Sequence, residues 1–206
     1  MNIRHGGRHP DKLIALTFIP VIALAILGIT YSHWQETLTI TGTITTGYVK
    51  LVIGSEKVLV PQGEGYDEYH PITYYKTSDK HTLIVTCKNV TNGWRIAIGL
   101  LMHNEGTLPL KVENVSLTLE NAEGVMQYFN ITTYYYGPYP TGTNFNQLGA
   151  WDGIKIGDIP VSGYVPPPIP LDQCQHAISW TTINYNGTQP LNITITATPL
   201  HKPFYQ

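Results

Sequence analysis

The side chains that most often carry catalytic chemistry are thinly spread along this chain. Metal-assisted peptide hydrolysis needs two or three converging His or Glu ligands and a general base. The histidines that follow the first 32 residues lie far apart, mostly in predicted turns: His33, His70, His81, His103, His176 and His201. No H-E-x-x-H, G-x-S-x-G or P-loop motif is present. We therefore predict that the protein is not an enzyme and holds no metal ion or other cofactor.

The two cysteines, Cys87 and Cys174, lack the C-x-x-C spacing of a metal or redox site. In an exported chain they predict a Cys87–Cys174 disulfide. Closing a loop of that length would stabilise the fold by roughly 4–5 kcal/mol in the chain-entropy model. The alternative interpretation is a pair of buried free thiols.

The chain is also rich in acceptor sites for N-linked sugars. Five N-x-S/T sequons occur, at Asn89, Asn114, Asn130, Asn186 and Asn192. Around Asn114, Asn130 and Asn192 the apolar residues alternate along predicted strands, and this alternation places the asparagines on the outward face. We expect N-linked glycans at these sites, although Asn and Thr are also ordinary surface residues.

The first 32 residues have the layout of an exported precursor. Three basic residues precede an apolar run, Leu13–Ile29, which ends in small polar residues. The run has 17 residues, fewer than the about 20 that span a membrane, so we predict no permanent anchor. Cleavage by signal peptidase after Ser32 would leave 174 residues. The alternative is a type IV pilin, which would be cut before the run and would retain its apolar helix.

Directly after the predicted cut, residues 33–46 have the pattern of a half-buried strand. Trp34, Leu38, Ile40 and Ile44 share one face, and threonines occupy most of the other. A β-prone free end with one apolar face requires a groove, and we predict that the groove belongs to the next copy of the chain. The alternative is an ordinary first strand that pairs within its own domain.

Residues 47–206 form the predicted body, a single all-β domain. Only 13% of the chain is charged, and the apolar residues come in short alternating segments without a sustained helical period. We predict eight to ten strands in a jelly-roll-like β-sandwich, completed by the donated N-terminal strand. The formal net charge of −2 is not clustered, so nothing indicates a nucleic-acid partner.

Several segments of the body carry specific predictions. Trp94–Met102 is almost continuously apolar and predicts a central strand covered on both faces. Leu108–Leu119 predicts a strand with a break at Glu113-Asn114, and Val125–Tyr136 is its expected hairpin partner. The remaining predictions are a surface excursion over Pro61–Asp79, a short strand at Lys155–Ile159 and a polyproline spacer at Pro166–Pro170.

Two segments resemble the TasA/camelysin family. Tyr31–Leu38, followed by the glycine-containing strand Gly42–Gly47, looks like the family's export-and-start motif. Asn104–Pro109 resembles its Asn-x-Gly-Thr-x-Pro turn. The resemblance covers residues 13–53 and 83–119. Camelysin relatives have been described as peptidases, but the archaeal proteins most like this chain form extracellular bundling pili and thread-like fibres.

The resemblance implies a homopolymer. Each secreted subunit would donate its N-terminal strand to a neighbouring copy in a cell-surface filament used for adhesion or biofilm formation. The alternative function is a monomeric carbohydrate-binding adhesin, in which exposed aromatic side chains stack on sugar rings. Its candidate residues are Tyr134, Tyr135, Tyr136, Tyr139 and Trp151. We expect these instead to cover the flank of the sandwich or to lie between subunits.

Overall fold

The computed structural model describes residues 47–63 and 66–205. The predicted signal peptide and the predicted donor strand, including Trp34, Leu38, Ile40 and Ile44, lie outside these residues. The described chain contains nine strands and one short helix, besides three single-turn 3-10 helices. In chain order they are β1 (Leu51–Leu59), α1 (Tyr66–Tyr69), β2 (Ile72–Lys76), β3 (Leu83–Val90), β4 (Arg95–Asn104), β5 (Leu110–Glu120), β6 (Phe129–Tyr139), β7 (Ile169–Leu171), β8 (His176–Tyr185) and β9 (Leu191–Pro203).

These strands build two antiparallel sheets that face each other. One has the order β1-β4-β8-β6, and the other has the order β2-β3-β9-β5-β7. From β3 onward every connection crosses from one sheet to the other, as a jelly-roll-like sandwich requires. The predicted all-β sandwich is thus confirmed. We call the end where β1 begins and β4 finishes the base, and the opposite end the top.

Strand β4 shows why the sequence adopts this fold. Its residues Ile96, Ile98 and Leu100 are buried in the core between the sheets, while Ala97 and Leu101 are buried on the other face. β4 pairs with β1 on one side and β8 on the other. The prediction of a central strand covered on both faces is confirmed, and the continuous apolar run follows from that double burial.

The outer face of the four-stranded sheet carries a second apolar cluster. Trp180 of β8 lies across Gly99 of β4, where an added Cβ would come within 2.6 Å of the indole ring. Trp151, from the long segment between β6 and β7, packs against Trp180 with ring centroids 5.5 Å apart. The indole N–H of Trp180 donates to the carbonyl of Ala150 at 2.8 Å. The segment that the sequence indicates as a loop therefore supplies a third layer.

Three local predictions are wrong. The excursion Pro61–Asp79 contains a paired edge strand, β2. Lys155–Ile159 contains a 3-10 helix at Ile156–Asp158 where a strand was expected. The polyproline segment ends in β7, whose Ile169 is buried and pairs with β5. Each of these three elements is only three to five residues long, and so short a run shows little hydrophobic periodicity.

The expected hairpin between β5 and its successor is also absent. β6 lies in the opposite sheet, where it pairs with β8. The connector, residues 121–128, buries Ala122 and ends in a 3-10 helix at Met126–Tyr128. It is longer than the two to five residues of a tight hairpin loop, and it carries the chain across the top of the sandwich.

The predicted Cys87–Cys174 disulfide is contradicted, because both cysteines are free thiols. Cys87 lies in the core opposite Ile193 of β9, whereas β7, which precedes Cys174, lies at the level of Pro203. Ten positions of β9 separate these levels, roughly 30 Å at about 3.3 Å per residue. A disulfide requires Cα atoms within about 7 Å. Burial raises the pKa of the Cys87 thiol to about 12.

Candidate assembly site

Among the residues that the structure describes, one side of the sandwich is open. β5 pairs with β9 along its whole length, but on its other side it pairs with β7 only over Leu110–Val112. Within residues 47–63 and 66–205, no strand pairs with the outer side of residues 113–120 of β5, which therefore form a free edge. The edge strand β6 faces the same side, and its residues 129–134 precede a single bridge between Tyr135 and Val165. We call the opening between these two free edges the β5–β6 margin.

Backbone hydrogen-bonding groups point into this margin. The amide of Val115 donates to the phenol oxygen of Tyr135 at 2.8 Å, so this residue of β5 faces the opening. Successive residues of a strand direct their N–H and C=O groups to opposite sides, which places those of Leu117 and Leu119 in the margin. No strand pairs with this side of the two leucines within residues 47–63 and 66–205. The Tyr135 hydroxyl thus accepts the amide of Val115, the first of the β5 residues whose backbone groups face the margin.

The same parity holds on β6. The carbonyl of Tyr135 accepts from Val165 at 2.8 Å, so Ile131 and Thr133 direct their backbone groups toward the margin. The described chain places no strand against residues 129–134 on that side. Both strands that border the margin therefore present a row of backbone N–H and C=O groups that no described strand pairs with. Such an edge is a template for pairing with another strand.

The floor of the margin is apolar. Five side chains from β5, β6 and their connector contact the inner core while remaining half-buried: Leu117, Leu119, Val125, Phe129 and Ile131. On both strands these inward residues are the ones whose backbone groups face the margin. An added strand with an apolar face would complete the hydrogen bonding and the burial at once.

The opposite side of the sandwich, between β1 and β2, is already tied together. The amide of Ile53 donates to the carbonyl of Lys80 at 2.7 Å. The Lys76 ammonium and the Glu56 carboxylate pair at 2.7 Å across the gap. What remains there is a cavity of about 380 Å³ beside Val58 and Ile72. Charged pairs on edge strands are a common way to prevent pairing between molecules, so the β5–β6 margin is the better site for an added strand.

The Asn-x-Gly-Thr turn holds the chain where the body begins. Thr107 donates its amide to the carbonyl of Tyr48 at 2.9 Å and accepts the Tyr48 amide on its hydroxyl at 3.0 Å. The amide of Glu105 donates to the carbonyl of Lys50 at 2.9 Å, and the two side chains pair at 2.7 Å. We call residues 48–50 with residues 104–108 the base clamp.

Asn104 organises the base clamp from inside the protein. Its buried side-chain amide donates to the carbonyls of Leu108, Leu171 and Asp172 at 3.0–3.2 Å. Its side-chain oxygen accepts the amide of Gly106 at 2.9 Å. A Cβ on Gly106 would come within 2.5 Å of the Tyr48 carbonyl, so the motif requires glycine there. The Asn-x-Gly-Thr motif in the sequence indicates a turn, but only the structure shows that the turn binds residues 48–50.

The predicted glycosylation sites are mostly accessible. Asn114, Asn130 and Asn192 point outward as their strand register predicts, and Asn186 is exposed after β8. Asn89 differs, because its side-chain amide donates to the Tyr69 carbonyl at 3.1 Å and the residue is half-buried. A sugar would replace one of the two hydrogens on this nitrogen and would have to fit beside the Tyr69 carbonyl. Attachment itself stays a prediction at all five sites.

The aromatic residues considered for sugar stacking are largely covered. Tyr135 belongs to the inner core, and Tyr136 and Trp151 are buried in the outer cluster. Tyr136 donates its hydroxyl to the Val161 carbonyl at 3.2 Å. Tyr134 and Tyr139 are only partly buried at the border of the same cluster. Tyr136 and Trp151 therefore cover the flank of the sandwich as expected, whereas Tyr135 lies in the core between the sheets.

Two histidines lie together near the base of the four-stranded sheet. The rings of His103 and His176 are 4.3 Å apart, and Phe145 packs on His176 at 4.7 Å. Both Nδ1 atoms are buried with no hydrogen-bond partner in the described chain. Burial, with the positive charge of His103 as a second cause, lowers the pKa of His176 to about 4. Burial also lowers the pKa of His103, against the opposing effect of Glu105.

This pair predicts a loss of stability in acid. The unfolded histidines have ordinary pKa values near 6.5, so below that pH the unfolded chain binds more protons than the folded one. We expect the free energy of unfolding to fall as the pH drops from about 6.5 toward about 4. Urea unfolding across that range measures the slope. The variant His176→Phe should flatten it, and an unchanged slope in the variant would contradict this assignment.

The described residues contain no group of three or more His, Cys, Asp and Glu side chains placed to hold a metal ion. In the same part of the chain, no helix is both long and apolar enough to cross a membrane. Comparisons of the whole chain with protein-family models, curated proteins and solved structures find no match.

Proposed function

We propose that this protein is the structural subunit of an extracellular filament, assembled head-to-tail when residues 33–46 of one copy enter the β5–β6 margin of the next. The open margin is the observation that carries the proposal. In the described part of the chain it offers two strand edges without a partner strand, above an apolar floor. The predicted arm offers what such a groove accepts, a β-prone segment with one apolar face.

The free energy expected from inserting the arm supports a stable contact between subunits. Each apolar side chain of the arm that becomes buried contributes about 1.5–3 kcal/mol, and each net hydrogen bond about 0.5–1.5 kcal/mol. The arm has four apolar side chains that would fill the groove, and we call them plugs: Trp34, Leu38, Ile40 and Ile44. The free energy gained from their burial and from the hydrogen bonds of the added strand exceeds the cost of ordering a short segment. Donor and acceptor are different surfaces, so the contact is heterologous and produces an open fibre where the rotation does not close a ring.

The resemblance to the TasA/camelysin family supports the same proposal and adds its setting. Export would remove residues 1–32 and free the arm only outside the cell. Sugars on the exposed sequons would limit lateral adhesion of the fibres, because they are bulky and hydrated. The partner is another copy of the chain, and the function is adhesion or biofilm structure.

Removal of the arm tests the proposal. We expect protein that begins at His33 to polymerise, and protein lacking residues 33–43 to stay monomeric with an intact body. Negative-stain electron microscopy and light scattering measure the difference. A matched pair separates the two faces of the arm: serine at Leu38, Ile40 and Ile44 should prevent assembly, while serine at Thr39, Thr41 and Thr43 should not.

The alternatives make other predictions. Fibres formed by the arm-deleted protein would contradict strand donation. A monomer that binds glycans would favour the adhesin, and a retained apolar helix in the fibre would favour a type IV pilin.

A further inference from the structure

The direction in which the arm enters the margin follows from where the body begins. The base clamp fixes Tyr48 at the base of its own body. Ile44, the last predicted plug, precedes Tyr48 by four residues, a reach of at most about 14 Å. The part of the neighbouring margin that receives Ile44 must therefore lie close to the base of the donor molecule.

In a head-to-tail fibre every subunit has the same polarity. With the fibre axis along the base-to-top direction, the base of one body meets the top of the next. The top of the margin lies beside Leu119 and Phe129, where β5 ends and β6 begins. If Ile44 enters there, the arm runs from base to top as its residue numbers rise. β6 runs from top to base, so the two strands are antiparallel and can form a regular ladder.

The lengths of the two segments agree with this arrangement. From Leu38 to Ile44 the arm spans six residue steps, about 20 Å in extended form. The free part of β6, residues 129–134, spans five steps, about 17 Å, before the bridge at Tyr135. The three closely spaced plugs thus fill the open stretch, and Trp34 extends past the bridge toward the base.

Exposed apolar residues lie where the two bodies would meet. At the base, beside the clamp, Tyr48 is 53% exposed and Leu108 is 40% exposed. At the top, on the connector that borders the margin, Met126 is 47% exposed and Tyr128 is 46% exposed. Exposed apolar side chains of this size, adjacent to an assembly site, are typical of interface residues.

Resting on the proposed function, we propose that the donated arm lies antiparallel to β6 of the receiving copy with Ile44 at the top. The base patch of the donor, Tyr48 and Leu108, then packs on the top patch of the receiver, Met126 and Tyr128. The occupant is the arm of a second copy, and its body must touch the receiver because only the short segment from Ile44 to Tyr48 separates the inserted strand from the donor body.

Cysteine cross-linking in fibres of the whole secreted chain tests the direction. Cys174→Ser removes the partly exposed thiol, and Cys87 stays unreactive because it is buried. Thr46→Cys with Gln127→Cys probes the top, and Thr46→Cys with Tyr164→Cys, beside the Tyr135 bridge, probes the base end of the margin. With a short bismaleimide we expect a ladder of covalent oligomers from the first pair alone.

A ladder from the second pair, or from neither pair in fibres that do form, would overturn the proposal and leave filament assembly intact. Failure to form fibres at all would overturn the proposed function with it. The patch has its own test. Met126→Ser with Tyr128→Ser should raise the critical concentration for assembly about tenfold, a loss of about 1.4 kcal/mol. The control Tyr69→Ser, on an exposed tyrosine of α1, should leave that concentration unchanged.

Discussion

Leu117→Lys is expected to abolish fibre formation while leaving the body folded. Leu117 lies in the floor of the β5–β6 margin, half-buried on a free edge. In the isolated body the lysine can extend its ammonium into water through the opening. With a strand inserted, the charge is trapped against apolar plugs without a partner, which costs several kcal/mol. We expect the critical concentration for assembly to rise more than about 100-fold. Light scattering during a concentration series measures this.

Thr118→Lys is the matched control. Thr118 is the next residue of the same strand and points to solvent on the outer face of its sheet. The Thr118→Lys variant carries the same added charge only one residue away, yet it should assemble like the unchanged protein. Circular dichroism and urea unfolding of both variants establish that the body is folded. Normal fibres from Leu117→Lys would exclude the β5–β6 margin as the acceptor.

Asn104→Ala is expected to lower the free energy of unfolding by about 3–5 kcal/mol, because three carbonyls and one amide lose their buried partner. Those groups belong to Leu108, Leu171, Asp172 and Gly106. Thermal and urea unfolding measure the loss. Proteolysis near Tyr48 should accelerate as well, since the same turn holds the start of the body.

Asn104→Asp separates hydrogen bonding from packing. It keeps the shape of the side chain but directs a second oxygen toward three carbonyls, so it should be at least as destabilising as alanine. Asn130→Ala changes an exposed asparagine and should stay within about 0.5 kcal/mol of the parent. If Asn104→Asp were as stable as the parent, the network at the base would not contribute as described.

The periodicity of apolar residues in the sequence predicted most of the features that depend on which side chains are buried. The break at Glu113-Asn114 is a change of register between β5 and β9, which the sequence indicates because apolar alternation shifts phase there. Asn114 and Asn192 face outward for the same reason. The double burial of β4 was predicted because an apolar run too short for a long helix has few other solutions. These features depend on neighbours within one strand.

What sequence reasoning missed depends on which strands become neighbours. The free edge of β5 exists because β7 stops after Ile169–Leu171, and because β6 crosses to the other sheet. Neither fact leaves a local pattern. The alternating residues Leu117 and Leu119 signal the margin only once the missing partner is known. The disulfide prediction was wrong for a similar reason, because the presence of two cysteines in a chain does not show that they lie at opposite ends of the sandwich.

The base clamp has a mechanical consequence. The β1–β4 ladder starts where Leu51 lies opposite Asn104, and just before it the carbonyls of Tyr48 and Lys50 accept backbone amides from residues 105–108. A pull through the arm acts along that ladder, in shear, and the bonds near its start must yield together. A force across the strands would instead open them one at a time. In the proposed fibre, tension on the arm would therefore reach β4, the central strand that pairs with β1. The hydrogen bonds between these two strands would resist extension of the body.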